Sequence, residues 1–219
     1  MKKLFPVLVL IISLSCSAQD SKISFGGWTS LTKSLPSIQD GWVSGGQAGV
    51  SVSPGIGLGG ELGLYFKSRG RVRILMGYEH KNIDATYDWS NYSGSAPSLP
   101  VTAKIKANYF YGSSLIDFQF IRSSGFGMWF SGGLYLFKLT GTKETSTLEN
   151  GSVQETSNGP HPNSLNIGVG YFSLMAELNF GDHARLFIEP YARLSETRLL
   201  SNFSIFSDIG GMVGVRYRL

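Results

Sequence analysis

The chain is poor in the residues that build the commonest active sites. It has one cysteine and three histidines among 219 residues, and past its first residues it has no apolar run long enough for a transmembrane helix. A single thiol excludes a disulfide framework. No His or carboxylate cluster has metal-ligand spacing, and no Lys/Arg run suits nucleic acid. The sequence therefore predicts no metal, no cofactor and no nucleic-acid partner.

The first 18 residues have the three parts of a secretory signal peptide. Lys2-Lys3 is the basic part, Leu4–Leu14 the apolar part and Ser15–Ala18 the small-residue cleavage zone. We expect cleavage after Ala18, which leaves residues 19–219 as one mature domain with 17 basic and 15 acidic residues, a net charge of +2. Lipidation of Cys16 is an alternative, although the residues before it depart from the usual lipoprotein signal.

Glycine and aromatic residues are abundant, with 28 Gly, 14 Phe and 10 Tyr. They recur in short segments in which apolar and polar residues alternate, a pattern typical of β-strands. Alternation of this kind predicts eight strands: Lys22–Leu31, Ile56–Lys67, Arg71–Lys81, Ala103–Ile121, Phe126–Leu139, Leu165–Phe180, Ala184–Ser195 and Ser207–Leu219.

The predicted connections alternate between short and long. The short ones are Ser68–Gly70, Arg122–Gly125 and Gly181–His183, and the long ones are Thr32–Pro54, Asn82–Thr102, Gly141–Ser164 and Glu196–Asn202. Outer-membrane β-barrels combine short periplasmic turns with long outer loops and an even strand count. Counting Gln47–Val52 as a ninth strand would break this parity. We therefore interpret it as an extension of the strand that follows, and its pairing stays open.

Two predicted strands change phase, and a third contains a proline. In Ala103–Ile121 the apolar residues change parity at Gly112–Ser114, which predicts a β-bulge there. Leu165–Phe180 changes parity near Tyr171. Pro190 lies in the middle of its strand without an amide donor, so we expect a local defect in the ladder.

Charged residues fall on the strand faces opposite the apolar ones. An eight-stranded barrel has an interior just wide enough for side chains, and opposite charges enclosed there would pair. We therefore predict an all-β fold, an eight-stranded antiparallel up-and-down transmembrane β-barrel whose lumen is filled by side chains. The predicted lumen charge network comprises Glu61, Arg73, Glu79, Asp117, Glu177, Arg185, Glu189, Arg193, Asp208 and Arg216, with Arg218 near the periplasmic rim.

Three stretches carry a resemblance to known proteins: the signal peptide, Glu61-Leu62-Gly63-Leu64-Tyr65 before a hairpin, and the chain end Gly214-x-x-Tyr217-x-Leu219. In these the chain resembles the OmpA/OmpX-like and PorT-like families of small outer-membrane β-barrels. The resemblance implies a monomer in the bacterial outer membrane, surrounded by its lipid. It also implies that Gly214, Tyr217 and Leu219 form the signal read by the barrel-insertion machinery. The implied roles are adhesion, envelope stability and secretion accessory work.

We expect no enzymatic activity and a role carried by the outer loops. One alternative is an enzyme that modifies lipid A, with His80 as a general base for a serine, although Asn82 stands where a His-x-Ser spacing needs the serine. Another alternative is a soluble lipocalin-like barrel with apolar residues inside. Contacts to an extracellular or envelope protein partner would involve residues of the predicted outer loops: Trp89, Tyr92, Glu144, Glu149 and Glu155.

Overall fold

A computed structural model of the chain describes residues 23–37, 47–66, 69–88, 100–158, 165–200 and 203–219. The signal peptide, Trp89 and Tyr92 lie outside these residues. The described elements are β1 (Ile23–Ser37), β2 (Gln47–Val52), β3 (Gly55–Phe66), β4 (Gly70–Asp88), β5 (Pro100–Arg122), β6 (Phe126–Leu148), β7 (Val153–Asn158), β8 (Leu165–Phe180), β9 (Ala184–Leu200) and β10 (Phe203–Arg218). In these residues no helix is long and apolar enough to cross a membrane.

Eight of the strands form a closed antiparallel ring. Its order is β1-β3-β4-β5-β6-β8-β9-β10, and β10 pairs back with β1 from Ser24↔Arg218 to Ser37↔Ser204. The main chain also closes at the last residue, where the Leu219 amide donates to the Ile23 carbonyl at 2.9 Å. The predicted eight-stranded antiparallel barrel is confirmed.

The two short strands lengthen the wall of the barrel at one end. β2 follows the line of β3, and both pair with β4, so Gln47–Val52 extends the following strand and adds nothing to the ring. β7 folds back on β6 and pairs with its residues Thr142 to Thr147. The four predicted long loops were therefore too long, because polar residues continue the strands: β4 runs to Asp88, and β6 and β7 occupy most of Gly141–Ser164.

The outward face carries a continuous apolar belt around the ring. On β5 the belt runs from Phe110 to Phe120, and on β6 from Phe126 to Leu136. These lengths match the roughly 9–11 residues with which a tilted strand crosses a bilayer. Exposed belt residues include Phe25, Leu31, Leu58, Leu62, Met76, Ile116, Phe118, Phe130, Leu134, Phe172, Leu174, Ile188, Val213 and Val215. Apolar surface of this extent is covered by lipid in a stable protein.

The predicted bulge in β5 is wrong. Odd-numbered residues from Ala103 to Gln119 face inward without a break, and the register with β4 is continuous along the strand. The apolar residues change sides because the medium outside the wall changes. Within the belt the outward side chains meet lipid, while beyond it they meet water and the apolar residues turn inward.

The other two irregularities occur where the sequence predicts them. In β8, Gly170 and Tyr171 are both buried, and the register with β6 shifts between Gly133↔Tyr171 and Tyr135↔Gly168. In β9 the ladder to β8 is interrupted between Tyr191 and Ile188, and it is regular before and after this gap. Pro190, which has no amide hydrogen, lies in this gap.

Trp28 fills the middle of the lumen because the wall that it faces is made of glycine. Gly59 and Gly77 are paired across β3 and β4, and a Cβ at Gly77 would lie 2.3 Å from the Trp28 ring. The indole Nε1–H donates to the Gly60 carbonyl at 3.2 Å. On the other side the ring packs against Tyr111, with 5.4 Å between ring centroids.

Gly77→Ala should destabilise the barrel by about 1–3 kcal/mol, the usual cost of overpacking a filled interior. The added methyl group would meet the Trp28 ring and, at 2.7 Å, the Leu58 carbonyl oxygen. Gly211→Ala is the matched control, because its Cβ would point outward with nothing within 4 Å. Urea unfolding in lipid vesicles, followed by tryptophan fluorescence, measures both. Equal midpoints for the two variants would refute the packing argument.

Candidate functional site

The structure places all ten residues of the predicted charge network inside the barrel. Nine are buried, and Arg185 is half-buried at the end of the barrel that has the short turns. Two further buried bases, Arg71 and Lys81, face the same lumen. They lie two residues before Arg73 and two residues after Glu79, on the same face of β4. The alternation of this strand therefore indicated both residues, although the predicted network omits them.

Eight of these residues form one cluster in the half of the lumen near the short turns. We name it the periplasmic cluster, because short turns are periplasmic in outer-membrane barrels. It consists of Glu61, Arg71, Arg73, Asp117, Glu177, Arg185, Glu189 and Arg216. Arg73 lies at its centre: its Nη1 and Nη2 donate to the two oxygens of Glu189 at 2.5 and 2.7 Å. Its Nε lies 3.0 Å from Asp117 Oδ2. The paired contact between Arg73 and Glu189 is bidentate, a geometry in which arginine binds a carboxylate strongly.

The remaining arginines complete the periplasmic cluster. Arg216 donates to Glu61 through Nε and to Glu177 through Nη1, the latter at 2.8 Å. Arg71 donates to Asp117 at 2.6 Å, and its guanidinium lies 4.5 Å from the centre of the Trp129 ring.

A second, outer cluster consists of Glu79, Lys81, Arg193 and Asp208. Lys81 Nζ lies 3.2 Å from Glu79 and 2.8 Å from Asp208, and Arg193 lies 2.7 and 3.0 Å from the same two carboxylates. The Arg193 guanidinium is also held among three rings, at 5.1 to 5.6 Å from their centres: Tyr111, Tyr135 and Tyr191.

Both clusters are electrically neutral. The periplasmic cluster has four carboxylates and four guanidinium groups, and the outer cluster has two charges of each sign. Buried charges are tolerated when each is paired and hydrogen-bonded, since an unpaired one is strongly destabilising. Along β4, Leu75 and Gly77 separate Arg73 from Glu79, so an uncharged layer lies between the clusters. The lumen is a packed interior that holds the wall together.

Residues of the predicted insertion signal lie at the C-terminal end of β10, level with the short turns. Gly214 faces inward, where a Cβ would lie 2.5 Å from the Phe187 ring. Tyr217 faces outward and stacks on His183 at 5.3 Å between centroids. Leu219 is exposed, and Arg218 lies beside it with its guanidinium 4.3 Å over the Tyr65 ring, at the rim where it was predicted.

His80 is placed among amides. It faces outward above the belt, with Nδ1 2.8 Å from Asn108 Oδ1 and Nε2 3.2 Å from Asn82 Oδ1. A general base for a serine would need one ring nitrogen on the hydroxyl, and both nitrogens are engaged here. In the described strands no group of three or more His, Cys, Asp or Glu side chains is placed to hold a metal ion.

The three predicted partner-contacting carboxylates lie on the hairpin of β6 and β7. Glu155 is exposed and pairs with Lys143 at 3.1 Å. Glu149 is exposed at the turn. Glu144 is half-buried and accepts a hydrogen bond from Ser146 at 2.7 Å.

No family model matches the chain, and no curated protein matches its sequence. Solved structures do match. Neisserial surface protein A (NspA) is 11% identical over 92% of this chain and 100% of its own, with a TM-score of 0.52. The fold is that of a small outer-membrane β-barrel. Ail of Yersinia pestis (12% identical, 91% of this chain and 97% of its own, TM-score 0.43) and the N-terminal domain of Pseudomonas aeruginosa OprF (9%, 92% and 98%, 0.43) also match.

The localisation follows from the surface of the barrel together with this fold. A closed ring with charges inside and an apolar belt outside has its stable place in a lipid bilayer. The protein is therefore an outer-membrane barrel, as the sequence predicts. The apolar-inside arrangement of a soluble lipocalin-like barrel does not hold within the belt, where Arg71, Arg73 and Arg216 are fully buried inside.

Arg73→Met should destabilise the barrel by about 3–5 kcal/mol, because it leaves the buried carboxylate of Glu189 without its arginine and that of Asp117 with Arg71 alone. The double variant Arg73→Met/Glu189→Gln should recover part of the loss. Lys143→Met is the control: both members of its ion pair are more than half exposed, and its loss should cost at most about 1 kcal/mol. Urea titration in vesicles measures all three. A loss for Arg73→Met as small as the control's would refute the role of the network.

The filled lumen should carry no ions. Protein inserted in planar bilayers is expected to show no stable large conductance steps, because an eight-stranded barrel packed with side chains leaves no water-filled channel. Stable steps from the folded protein would contradict the packed interior.

Proposed function

We propose that this protein is a structural or interaction protein of the outer membrane, and that it acts through a sheet raised on the outer side. The observation that carries the proposal is the length of β4, β5 and β6 beyond the belt. β6 continues from Leu136 to Leu148, about 40 Å along the strand at about 3.3 Å per residue. The raised sheet has the order β2-β4-β5-β6-β7.

The raised sheet has a core of its own. Its inner face is apolar and at most 4% exposed at Val52, Ile83, Ala85, Ala103, Ile105 and Ala107. Its outer face is polar and exposed at Asp84, Thr86, Thr102, Lys104 and Lys106. This is the pattern of a sheet folded in water. The sheet therefore offers a partner a preformed surface, which lowers the ordering cost of binding.

Among the described strands, one edge of the raised sheet has no neighbour. Among the described strands β7 pairs only with β6, and its residues Val153 to Ser157 are all exposed. An open edge presents N–H and C=O groups to which another extended chain can pair. This supports binding of a protein partner. The proposed role is not enzymatic, and the barrel acts as a monomer in outer-membrane lipid after insertion by the barrel-insertion machinery.

The orientation can be tested with single cysteines. Gln154→Cys in β7 should react with a membrane-impermeant maleimide on intact cells, whereas Asp182→Cys in a short turn should react only after the outer membrane is opened. The mature chain supplies a thiol-free background if cleavage follows Ala18. Labelling of Asp182→Cys on intact cells, with Gln154→Cys protected, would invert the proposed orientation.

The interaction role is tested by removing the hairpin. A variant in which residues 142–158 are replaced by a short turn keeps the ring of eight strands and should still fold, as its heat-modifiable migration on gels would show. Cells carrying it should adhere and self-aggregate less than cells with wild-type protein at the same surface level. Asp182→Asn, at an exposed position in a short turn at the opposite end of the barrel, serves as control. Equal adhesion by the hairpin-less and wild-type cells would contradict the proposal.

A further inference from the structure

β7 turns one side toward β6, and no described strand occupies its second side. At the turn before β7, the Leu148 amide donates to the Ser152 carbonyl at 2.8 Å, so these two residues form a hydrogen-bonded pair. The register of β6 and β7 continues from this pair without a shift, and hydrogen-bonded pairs alternate with non-hydrogen-bonded ones. The backbone amides of Gln154 and Thr156 therefore point to β6. Three others point to the second side: those of Val153, Glu155 and Ser157.

We propose that the second side of β7 pairs with the same side of β7 in a second copy of this chain. The inference rests on the proposed function and names the protein partner as the protein itself. A two-fold axis brings the same surface to both sides of an interface. A regular ladder between two strands related in this way is antiparallel, and residues directly opposite each other both point their backbone groups across it or both point them away.

Charge and strand length select one register for this ladder. A ladder centred on Glu155 would place the carboxylates of the two copies directly opposite each other, where like charges are destabilising. A ladder centred on Gln154 would run into Gly151, a turn residue with a φ of 79°. A ladder centred on Thr156 avoids both conflicts. Glu155 of each copy then lies opposite Ser157 of the other, and the two Thr156 side chains form a favourable cross-strand pair.

Lys143 balances the charge of this contact. It pairs with Glu155 of its own chain at 3.1 Å and lies opposite Ser157 in the register of β6 and β7. In the ladder centred on Thr156, Glu155 of the second copy follows on the other side of Ser157, about 10 Å from Lys143 across two strand spacings. The two glutamates become diagonal neighbours, and each keeps its own lysine. The four side chains therefore form a neutral group across the contact.

The symmetry of the ladder places the two copies in facing membranes. The two-fold axis of an antiparallel pair is perpendicular to its sheet. Because the raised sheet continues the barrel wall, this axis lies roughly in the membrane plane, and a half-turn about it inverts the barrel. Thr156 pairs with Glu144, eight residues beyond Leu136 at the edge of the belt. At a strand tilt of about 40° this is about 20 Å above the belt, so the two belts lie about 40 Å apart.

A single contact of this kind is weak, because a short strand supplies only a few hydrogen bonds. Two membranes that each carry many copies form many contacts at once, and such avidity can exceed the affinity of one contact by about 10²–10⁴. We therefore expect the pairing between membranes, and little of it between single molecules in dilute micelles.

The test uses residues 19–219, purified and refolded into vesicles that contain no other protein, with dynamic light scattering to follow clustering. Wild-type vesicles should cluster with each other and leave vesicles of lipid alone dispersed. Ser157→Pro should slow clustering by about tenfold, because proline removes an amide on the second side of β7 and leaves the ladder to β6 complete. Ser157→Ala keeps this amide and is the matched control, which should cluster like wild type.

Single cysteines test the register, since residues 19–219 contain no other thiol. Thr156→Cys should give a disulfide-linked dimer when clustered vesicles are oxidised with copper phenanthroline. Its two copies lie opposite each other in a non-hydrogen-bonded pair, with Cα atoms about 4.5 Å apart, which suits a disulfide. Gln154→Cys is the control and should give no dimer, because its two copies are offset by four residues, about 13 Å along the strands.

The proposal is overturned if wild-type vesicles stay dispersed, if the proline and alanine variants cluster equally, or if wild-type vesicles recruit vesicles of lipid alone. A dimer from Gln154→Cys without one from Thr156→Cys would overturn the ladder centred on Thr156. These assays contain no other protein, so their failure removes the second copy as partner. The proposed function is judged separately, by the adhesion of cells that carry the hairpin-less variant.

Discussion

Closure of the main-chain hydrogen bonds is the constraint on which this structure depends. A strand inside a bilayer has no water to satisfy its N–H and C=O groups, so each strand needs a partner on both sides. Pairing of β10 with β1 provides the last partner, and the hydrogen bond from Leu219 to Ile23 completes it at the final residue. Beyond the belt the constraint is absent, because water can satisfy an edge. This is where β7 forms the last described strand of the raised sheet.

The charged lumen determines which face of each strand points inward and which points to lipid. A strand with two apolar faces would lose little by turning over, whereas a one-residue slip here would move Arg73 and Glu189 from their partners into lipid. Replacing such pairs with apolar residues can be neutral for stability in other proteins. In this barrel we interpret the network as a feature that specifies the register of the strands. The network is electrically neutral as a whole, and its buried charges are paired only when every strand is in register.

Much of the ring could be predicted from period-two alternation. It identified eight strands, the short turns and ten inward charges, because lipid outside and packed charges inside impose opposite residue types on the two faces. Arg71 and Lys81 are the first and last residues of the predicted strand Arg71–Lys81, and they were left out of the predicted network although they continue its alternation. The loops were overestimated for a different reason. Polar residues such as Thr102 and Thr145 look like loop residues, yet they are the water-facing side of strands that continue beyond the membrane.

The change of apolar face along β5 indicates a change of the surrounding medium, and no bulge. A bulge shifts the side chains by one position and leaves a break in the register, as at Gly170 in β8. A change of medium leaves the alternation of the strand unbroken and exchanges the residue types of the two faces, as between Ile105 and Ile116 in β5. The shift toward β6 between Asn108 and Tyr109 inserts Thr140 on β6 and does not alter the alternation of β5. Ile105 faces inward and Ile116 faces outward, although no residue was inserted between them. The two cases differ in the pairing with neighbouring strands, which the sequence of one strand does not contain. The change of residue type places the edge of the belt between Phe110 and Asn108. Beyond it, the apolar inner face at Ile83 and the outward lysines follow the pattern of a sheet in water.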